Sequence, residues 1–442
     1  MKPITIDFSK TPPSVRPREV AELLEKNRAP IRNALSPIRG KTDSLGWVDV
    51  DTLADRELLT LIEDKAKEIR ENAEAFVLIG VGGSNQGARA AVEALGDNRV
   101  EILYTGNTLS PASLNKTMAQ LKGKSVYVNV IAKNFATLEP GATFRVIRHY
   151  LEEEYGLQEA AKRTIATCSP NNGSLELFAR DRNYTVLPFP LDVEGRYSVL
   201  SAAGLLPMGV AGIDIGALLN GAREMKELIH SEGPETNPAV LYALHRNLLL
   251  KKGYAIEILS HFEPAFHYFA KWWVQLFAES EGKDGKGIYP TSCSFSEDLH
   301  SLGQYIQDGR RILLETFLNL EDQGASYAVP HEDDNRDGFA YVDGKDFAFL
   351  NRVAFNATIN AHRAGGVPCA VVNVPELTPY YMGQLFYFFE YACYVSGAIL
   401  GVNPFDQPAV ETYKVDMFNG LGRRQISQME ETAKGPKSES PE

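Results

Sequence analysis

"LIGVGGSNQGARAAVEAL", residues 78–95, is the stretch on which the fold turns. An apolar run beginning at Ala75 breaks into glycines and continues as a helix-like segment from Ser84 to Leu95. Apolar residues that follow one another without alternation describe a strand buried on both faces, the habit of parallel sheets. Gly80, Gly82, Gly83 and Gly87 then let the chain turn tightly into the helix, so that backbone N–H groups and a helix N-terminus face one point. Such a point favours an anion. Ser84 is expected to cap the helix and to touch the same anion with its hydroxyl. The loop is not the dinucleotide fingerprint, because its third position, residue 85, is Asn and the next strand, "VEILYTGN", ends without an acid for a ribose. The glycine loop does not itself run into GK[ST], which excludes a Walker loop here. On this loop alone, a tight turn that binds nothing stays open.

Outward from this stretch the pattern repeats. "VEILYTG" from Val100, "SVYVNVIA" from Ser125 and "RTIATCS" from Arg163 read as strands. Between them "PASLNKTMAQLKG" and "EPGATFRVIRHYLEEEYG" read as helices, and the alternation predicts a parallel sheet covered by helices. In the second half "AIEIL" from Ala255 and "CAVVNVP" from Cys369 are expected strands. Helices are expected from Glu263 to Phe277 and from Ser301 to Asn319. In the first of these, Phe262, Phe266, Phe269, Trp273, Leu276 and Phe277 recur at helical spacing and form a core stripe. The segment from Arg196 to Ile229 is expected to carry the chain between two lobes, since 442 residues exceed one ordinary core.

Composition narrows the function. A formal net charge of −12 argues against nucleic acid, whose backbone rewards clustered Lys and Arg. "YYMGQLFYFFEYACYVSGAIL", Tyr380 to Leu400, carries Gln384 and Glu390 in mid-run and lacks basic flanks, so it is expected to be a buried helix and not a membrane span. The opening "MKPITIDFSK" has neither the basic start nor the apolar region of a signal peptide, so the protein is expected in the cytoplasm. Cys168, Cys293, Cys369 and Cys393 are scattered without metal spacing and read as reduced, apolar fillers. No metal site and no cofactor are expected.

Five ordered blocks then become specific. They are "GVGGSNQGARAAVEAL" (80–95), "EGRYSVLSAAGLLP" (194–207), "QLFAESEGKDGKGIYP" (275–290), "EDLHSLGQYIQDG" (297–309) and "GVNPFDQPAVETYK" (401–414). Together they resemble the signature segments of the glucose-6-phosphate isomerase family, most nearly its shorter bacterial branch. The resemblance implies an α/β fold of two sugar-isomerase domains, each a mainly parallel sheet sandwiched by helices. An N-terminal segment, 1–50, would pack on the lobes; the domains would span 51–210 and 211–425, and a polar tail 426–442. It also implies a homodimer whose site takes residues from both subunits, and a sugar phosphate as small-molecule partner.

The implied activity interconverts glucose 6-phosphate and fructose 6-phosphate without metal, in glycolysis and gluconeogenesis. Such a reaction opens the sugar ring, moves one proton between C1 and C2, and stabilises an enediolate between the two states. By the resemblance Glu279 is the proton carrier, with Glu281 and Asp298 as rivals. His300 would open the ring, with His362 its competitor, because imidazole exchanges protons near neutrality. Lys414 would assist ring opening, and Arg196, a fork that never loses its charge, would face the enediolate. Gly83, Ser84, Lys133, Asn134, Thr137, Glu139 and Gln407 would hold the substrate and its phosphate.

The chain departs from that pattern in two places. The second phosphate loop, usually close to "ISKSGTTTEP", is here "IAKNFATLEP", residues 131–140. Ala132 and Ala136 replace hydroxyl residues, Asn134 and Leu138 replace small polar ones, and Phe135 stands where glycine is usual, although longer relatives also carry an aromatic. The glycine usual before Gly195 is Glu194. Each lost hydroxyl–phosphate bond is worth at most about 1.5–3 kcal/mol, which predicts retained turnover with a raised KM. Two alternatives remain at this point: an isomerase that also accepts mannose 6-phosphate, and a non-catalytic sugar-phosphate-binding protein of the same fold.

Overall fold

A computed structural model describes residues 2–11, 15–36, 44–133, 135–171 and 173–422. Two compact units divide the chain after Pro404. The first holds two five-stranded sheets with helices around them. Sheet one is ordered β3 (Glu101–Thr105), β2 (Ala75–Ile79), β4 (Val126–Ala132), β5 (Thr164–Cys168), β6 (Thr185–Pro188), and every pair in it is parallel. Sheet two is ordered β1 (Thr5–Asp7), β10 (Cys369–Glu376), β9 (Leu313–Asp322), β7 (Ile256–His261), β8 (Tyr289–Ser294). Its pairs are parallel except for β1, which lies antiparallel on β10. The second unit, described from 405 to 422, is a short turn, Pro408–Val410, and a helix, Glu411–Gly420.

The strands behave as their composition requires. All residues of β2, β4 and β5 are buried, because helices cover both faces of a parallel sheet. The aromatic stripe lies on the helix His267–Glu281 and the turn before it, with Phe266, Phe269, Trp273, Leu276 and Phe277 fully buried. The four cysteines are free and buried, and burial pushes the Cys168 thiol up to about 11 and the Cys293 and Cys393 thiols to about 12.

One expected helix is a strand. The segment Ser301 to Asn319 contains only a short helix, Gly303–Asp308, and then β9 at the centre of sheet two. Leu313, Leu314, Phe317, Leu318 and Leu320 have helical spacing and good helical propensity. A strand flanked by β7 and β10 and covered on both faces is apolar on both faces, so the period carries no information there. Its polar members are satisfied internally: Glu315 accepts from His362 Nδ1 at 2.7 Å, and Thr316 donates to Glu257 at 2.8 Å.

The apolar run Tyr380 to Leu400 is the buried helix Pro379–Leu400, and no described helix is long and apolar enough to cross a membrane. This helix crosses Ile215–Ser231 so closely that a Cβ on Gly383 would stand 1.9 Å from the carbonyl oxygen of Leu218. At its centre Glu390 is fully buried, with both carboxylate oxygens lacking a partner among the described residues. Desolvation holds its carboxyl well above the usual range, so it is the neutral form that is buried.

Two outcomes follow from this helix. Gly383→Ala is expected to destabilise by about 1–3 kcal/mol through backbone overlap. Gly420→Ala, where a Cβ meets nothing within 4 Å, should leave the melting temperature unchanged; equal melting of both variants would show slack in the crossing. For Glu390 the native state binds a proton that the unfolded chain releases above its ordinary carboxylate pKa, so stability is lost as pH rises beyond that value. Glu390→Met should therefore raise the melting temperature more at pH 8 than at pH 5, and a gain independent of pH would refute a titrating carboxyl as its source.

Candidate active site

The crevice lies where neighbouring strands of sheet one send their connections in opposite directions. From β2 the chain passes through residues 80–82 into the helix Gly83–Leu95 and returns at β3 on one side. From β4 it passes through residues 133–137 into the helix Leu138–Lys162 and returns at β5 on the other side. The ends of β2 and β4 are adjacent, with Ile79 beside Val130, so both helix N-termini flank one opening, the habitual ligand position in open α/β sheets. Neither N-terminus is capped by a side chain: Gly82 and Thr137 occupy the cap positions without such a bond. Ser84 is not the cap expected from sequence but the second residue of its helix. The donors there are backbone N–H groups, backed by two helix dipoles.

Lys133 and Thr137 border this opening, and Glu139 sits in the first turn of the second helix. Asn134 falls outside the described residues. Phe135 has a left-handed backbone, φ 54°, which costs a residue with a Cβ roughly 1–2 kcal/mol. Its ring packs on the core of sheet one, edge-on to Phe144 at 6.0 Å, and that burial offsets the cost. This is how an aromatic side chain serves at a position where the resembled loop uses glycine.

The opposite wall is the turn Gly195–Tyr197. A Cβ on Gly83 would stand 1.9 Å from the carbonyl oxygen of Gly195, so the two backbones touch. Arg196 is 2% exposed. Its Nε donates to Ser280 Oγ at 2.9 Å, its Nη2 donates to the carbonyl of Pro404, and its own carbonyl accepts from Trp272 Nε1 at 3.2 Å. The remaining nitrogen, Nη1, lies 3.6 Å from Glu279 Oε1. Glu279 is near the end of the helix His267–Glu281, with its side chain 30% exposed, and its Oε2 accepts from Gln275 Nε2 at 3.1 Å.

Sequence reading missed Gln275. It lies one helical turn before Glu279 and therefore on the same face. Its Nε2 would be 2.9 Å from a Cβ on Gly82, so the amide also rests against the glycine loop. Its Oε1 is buried without a partner among the described residues, an unsatisfied acceptor on the side chain that donates to Glu279.

The rival acids are otherwise engaged. Glu281 is fully buried and accepts from Arg246 Nη1 at 2.7 Å. Asp298 accepts from the backbone N–H of Ser294 at 2.7 Å and from Ser301 Oγ at 3.1 Å, which pins the turn Glu297–His300. His362 is buried against Glu315. His300 is exposed on its turn just after β8. The helix carrying Glu279 runs back against the strand direction between the parallel strands β7 and β8, so Glu279 and His300 stand at opposite ends of β8. Six strand residues separate these ends, about 20 Å at the usual rise. Within one chain these two residues are not brought together. In the second unit, Gln407 precedes the turn Pro408–Val410, and Lys414 Nζ lies 2.6 Å from Glu411 Oε1.

Comparison with known proteins accords with this geometry. A family model described as phosphoglucose isomerase matches residues 65–432. The glucose-6-phosphate isomerase of Acetivibrio thermocellus is 43% identical over 438 residues, covering 96% of this chain and 97% of that one. Its counterpart in Caldanaerobacter subterraneus subsp. tengcongensis is 44% identical over 433 residues, 96% of each chain. Among solved structures, a hypothetical protein from Thermus thermophilus superposes with a TM-score of 0.88 at 26% identity, over 95% of this chain and 99% of that one. A glucose-6-phosphate isomerase from Chlamydia trachomatis shares the fold with a TM-score of 0.79 at 17% identity, over 96% and 90% of the two chains. With the model match spanning most of its length and close relatives covering nearly all of it, the chain belongs to the phosphoglucose isomerase family.

Proposed function

We propose that this protein interconverts glucose 6-phosphate and fructose 6-phosphate by proton transfer through an enediolate, in glycolysis and gluconeogenesis and in the cytoplasm. The observation that carries the reading is Glu279, partly open to solvent and held between Arg196 and Gln275, whose amide rests against the glycine loop. A carboxylate so placed takes the proton from C2 of the open aldose and returns it to C1, the two carbons presenting it on one face. The negative charge that develops on O1 and O2 meets the Arg196 guanidinium, whose orientation is already set by Ser280 and Pro404, so little reorganisation is needed when the charge appears.

At the other end of the sugar, the phosphate occupies the paired helix N-termini. Gly83 and Ser84 contribute from one loop; Lys133, Asn134 and Thr137 contribute from the other, with Glu139 in the adjoining turn. Gln275 joins this set as the group that orients the base and accepts from a sugar hydroxyl. By the family resemblance Gln407 is a substrate-contacting amide and Lys414 the cation that assists ring opening. The presence of two sheets supports a division into two sugar-isomerase domains, 51–210 and 211–425, with a segment 1–50 before them and a tail 426–442, the last lying outside the described residues.

The ring-opening histidine comes from a second copy: the site is completed by His300 of the partner subunit. The separation of Glu279 and His300 along β8 supports this, since one chain does not join them. The segment after β9 supports it too, for it exposes large aromatics such as Tyr327 and Tyr341, 74% and 67% exposed, the kind of apolar surface that marks an interface.

Glu279→Gln is expected to lower kcat for fructose 6-phosphate by about 10²–10⁴-fold with KM little changed, in a coupled assay run with and without a chelator. Full turnover in that variant would place the base elsewhere, and loss of wild-type turnover on chelation would reject a metal-free mechanism. Co-expressing Glu279→Gln with His300→Ala should restore about a quarter of wild-type activity, because half of the dimers in a symmetric pairing are mixed and each holds one intact site. A mixture as inactive as its parents would put both residues of a site in one chain.

A further inference from the structure

The phosphate end of the site contains a carboxylate. Glu194 Oε1 lies 3.0 Å from Lys133 Nζ, and Ser44 Oγ donates to the same oxygen at 3.0 Å. The side chains of Lys133 and Glu194 are 27% and 20% exposed, so water screens this pair incompletely. Glu194 is also one residue from Gly195, whose carbonyl meets the N-terminal residue of the first helix, and two from Arg196, which faces Glu279. Three consecutive residues thus touch the loop cation, the glycine loop and the proton-carrying acid in turn.

From this juxtaposition we infer that Glu194 sets how tightly the site holds a doubly charged phosphate, by competing with the phosphate for Lys133. The inference rests on the phosphate site proposed above. In the free protein the Lys133 charge is already answered by a carboxylate, so an incoming phosphate gains less from it and also faces a like charge. The two helix N-termini lie outside this competition, because backbone donors do not rearrange. Binding is therefore weakened and not abolished. The Glu194 carboxylate pairs with the loop cation and not with Glu279 or Arg196, so its effect is expected in KM and not in the proton transfer. Glycine, usual at this position in the resembled pattern, would leave Lys133 wholly to the substrate.

Glu194→Gln keeps the size and the bond to Ser44 while removing the charge; Glu194→Gly removes both. Both variants are expected to lower the KM for fructose 6-phosphate about tenfold, as removal of one nearby like charge at intermediate dielectric implies, with kcat changed less than about twofold. The gain should shrink in high salt and vanish in a Lys133→Ala background. The dissociation constant of inorganic phosphate, measured by calorimetry, should fall in parallel. An unchanged or raised KM and an unchanged phosphate affinity in both variants would overturn the inference while leaving the isomerase reading intact. If wild-type protein turns over no fructose 6-phosphate, the isomerase reading fails, and the calorimetric comparison still decides the role of Glu194. Tighter binding in the glycine variant alone would assign the effect to space and overturn the charge competition.

Discussion

The site depends on one contact, the backbone of Gly83 against the backbone of Gly195. It sets the anion-binding end of a helix from sheet one directly beside the turn that carries Arg196. That turn is in turn fastened to the helix His267–Glu281 of the second half through Ser280 and Trp272. A side chain at residue 83 would push these parts roughly a bond length or more apart, given that real Cβ contacts do not fall below about 3 Å. The distance between the glycine-loop helix end and the turn that faces Glu279 is therefore a property of packed backbone, not of flexible side chains, which suits a reaction that needs both ends of one small molecule held at once.

Beneath Glu279 lies a second rigid layer. Arg246, fully buried, bonds Glu281 and Glu257, and Glu257 also accepts from Tyr242 at 2.7 Å and Thr316 at 2.8 Å. Such a network is weak evidence for stability, because desolvation of its charges consumes most of their attraction. Its position is more telling. Glu281 is two residues from Glu279 and one from Ser280, so locking it fixes the end of the helix that presents the base. Glu279 alone of the three acids considered is left with a partly open carboxylate and a side-chain amide to orient it.

The two sheets share the strand sequence that creates a crevice, yet only one crevice is suited to an anion. In sheet two the equivalent opening, after β7 and β9, is a cavity of about 550 Å³ lined in part by Glu263, Glu321 and Asp322, three acids against the one cation Arg352. Glu263 there accepts from the backbone N–H of Ala265 at 3.3 Å, so the donors at the start of that turn are answered by the protein's own carboxylate. Carboxylates around the opening repel what the glycine loop of sheet one attracts. An acidic protein can bind an anionic sugar because the binding field is local, built from helix ends and backbone, and not from net charge.

The sequence by itself determined the first half almost completely. Strands buried on both faces, glycine turns and helices of ordinary period are all local signals, and β2, β3, β4 and β5 fall where those signals lie. The five ordered blocks led to Glu279 and Arg196, which the fold brings to 3.6 Å. Local signals failed for β9, where burial on both faces erases the period, and for Ser84, because the helix starts at Gly83, two residues earlier than a hydroxyl cap at Ser84 would require. Only tertiary structure showed Glu281 buried on Arg246, Asp298 bonded to its own turn and Glu279 partly open beside Gln275, since three acids of similar chemistry differ in what they touch. It alone showed Gln275 beside the base and Glu194 on Lys133, contacts between residues 61 positions apart in the second case. Spacing along the chain reports faces of single elements; which faces meet is decided by packing, and the chemistry of this site resides where they meet.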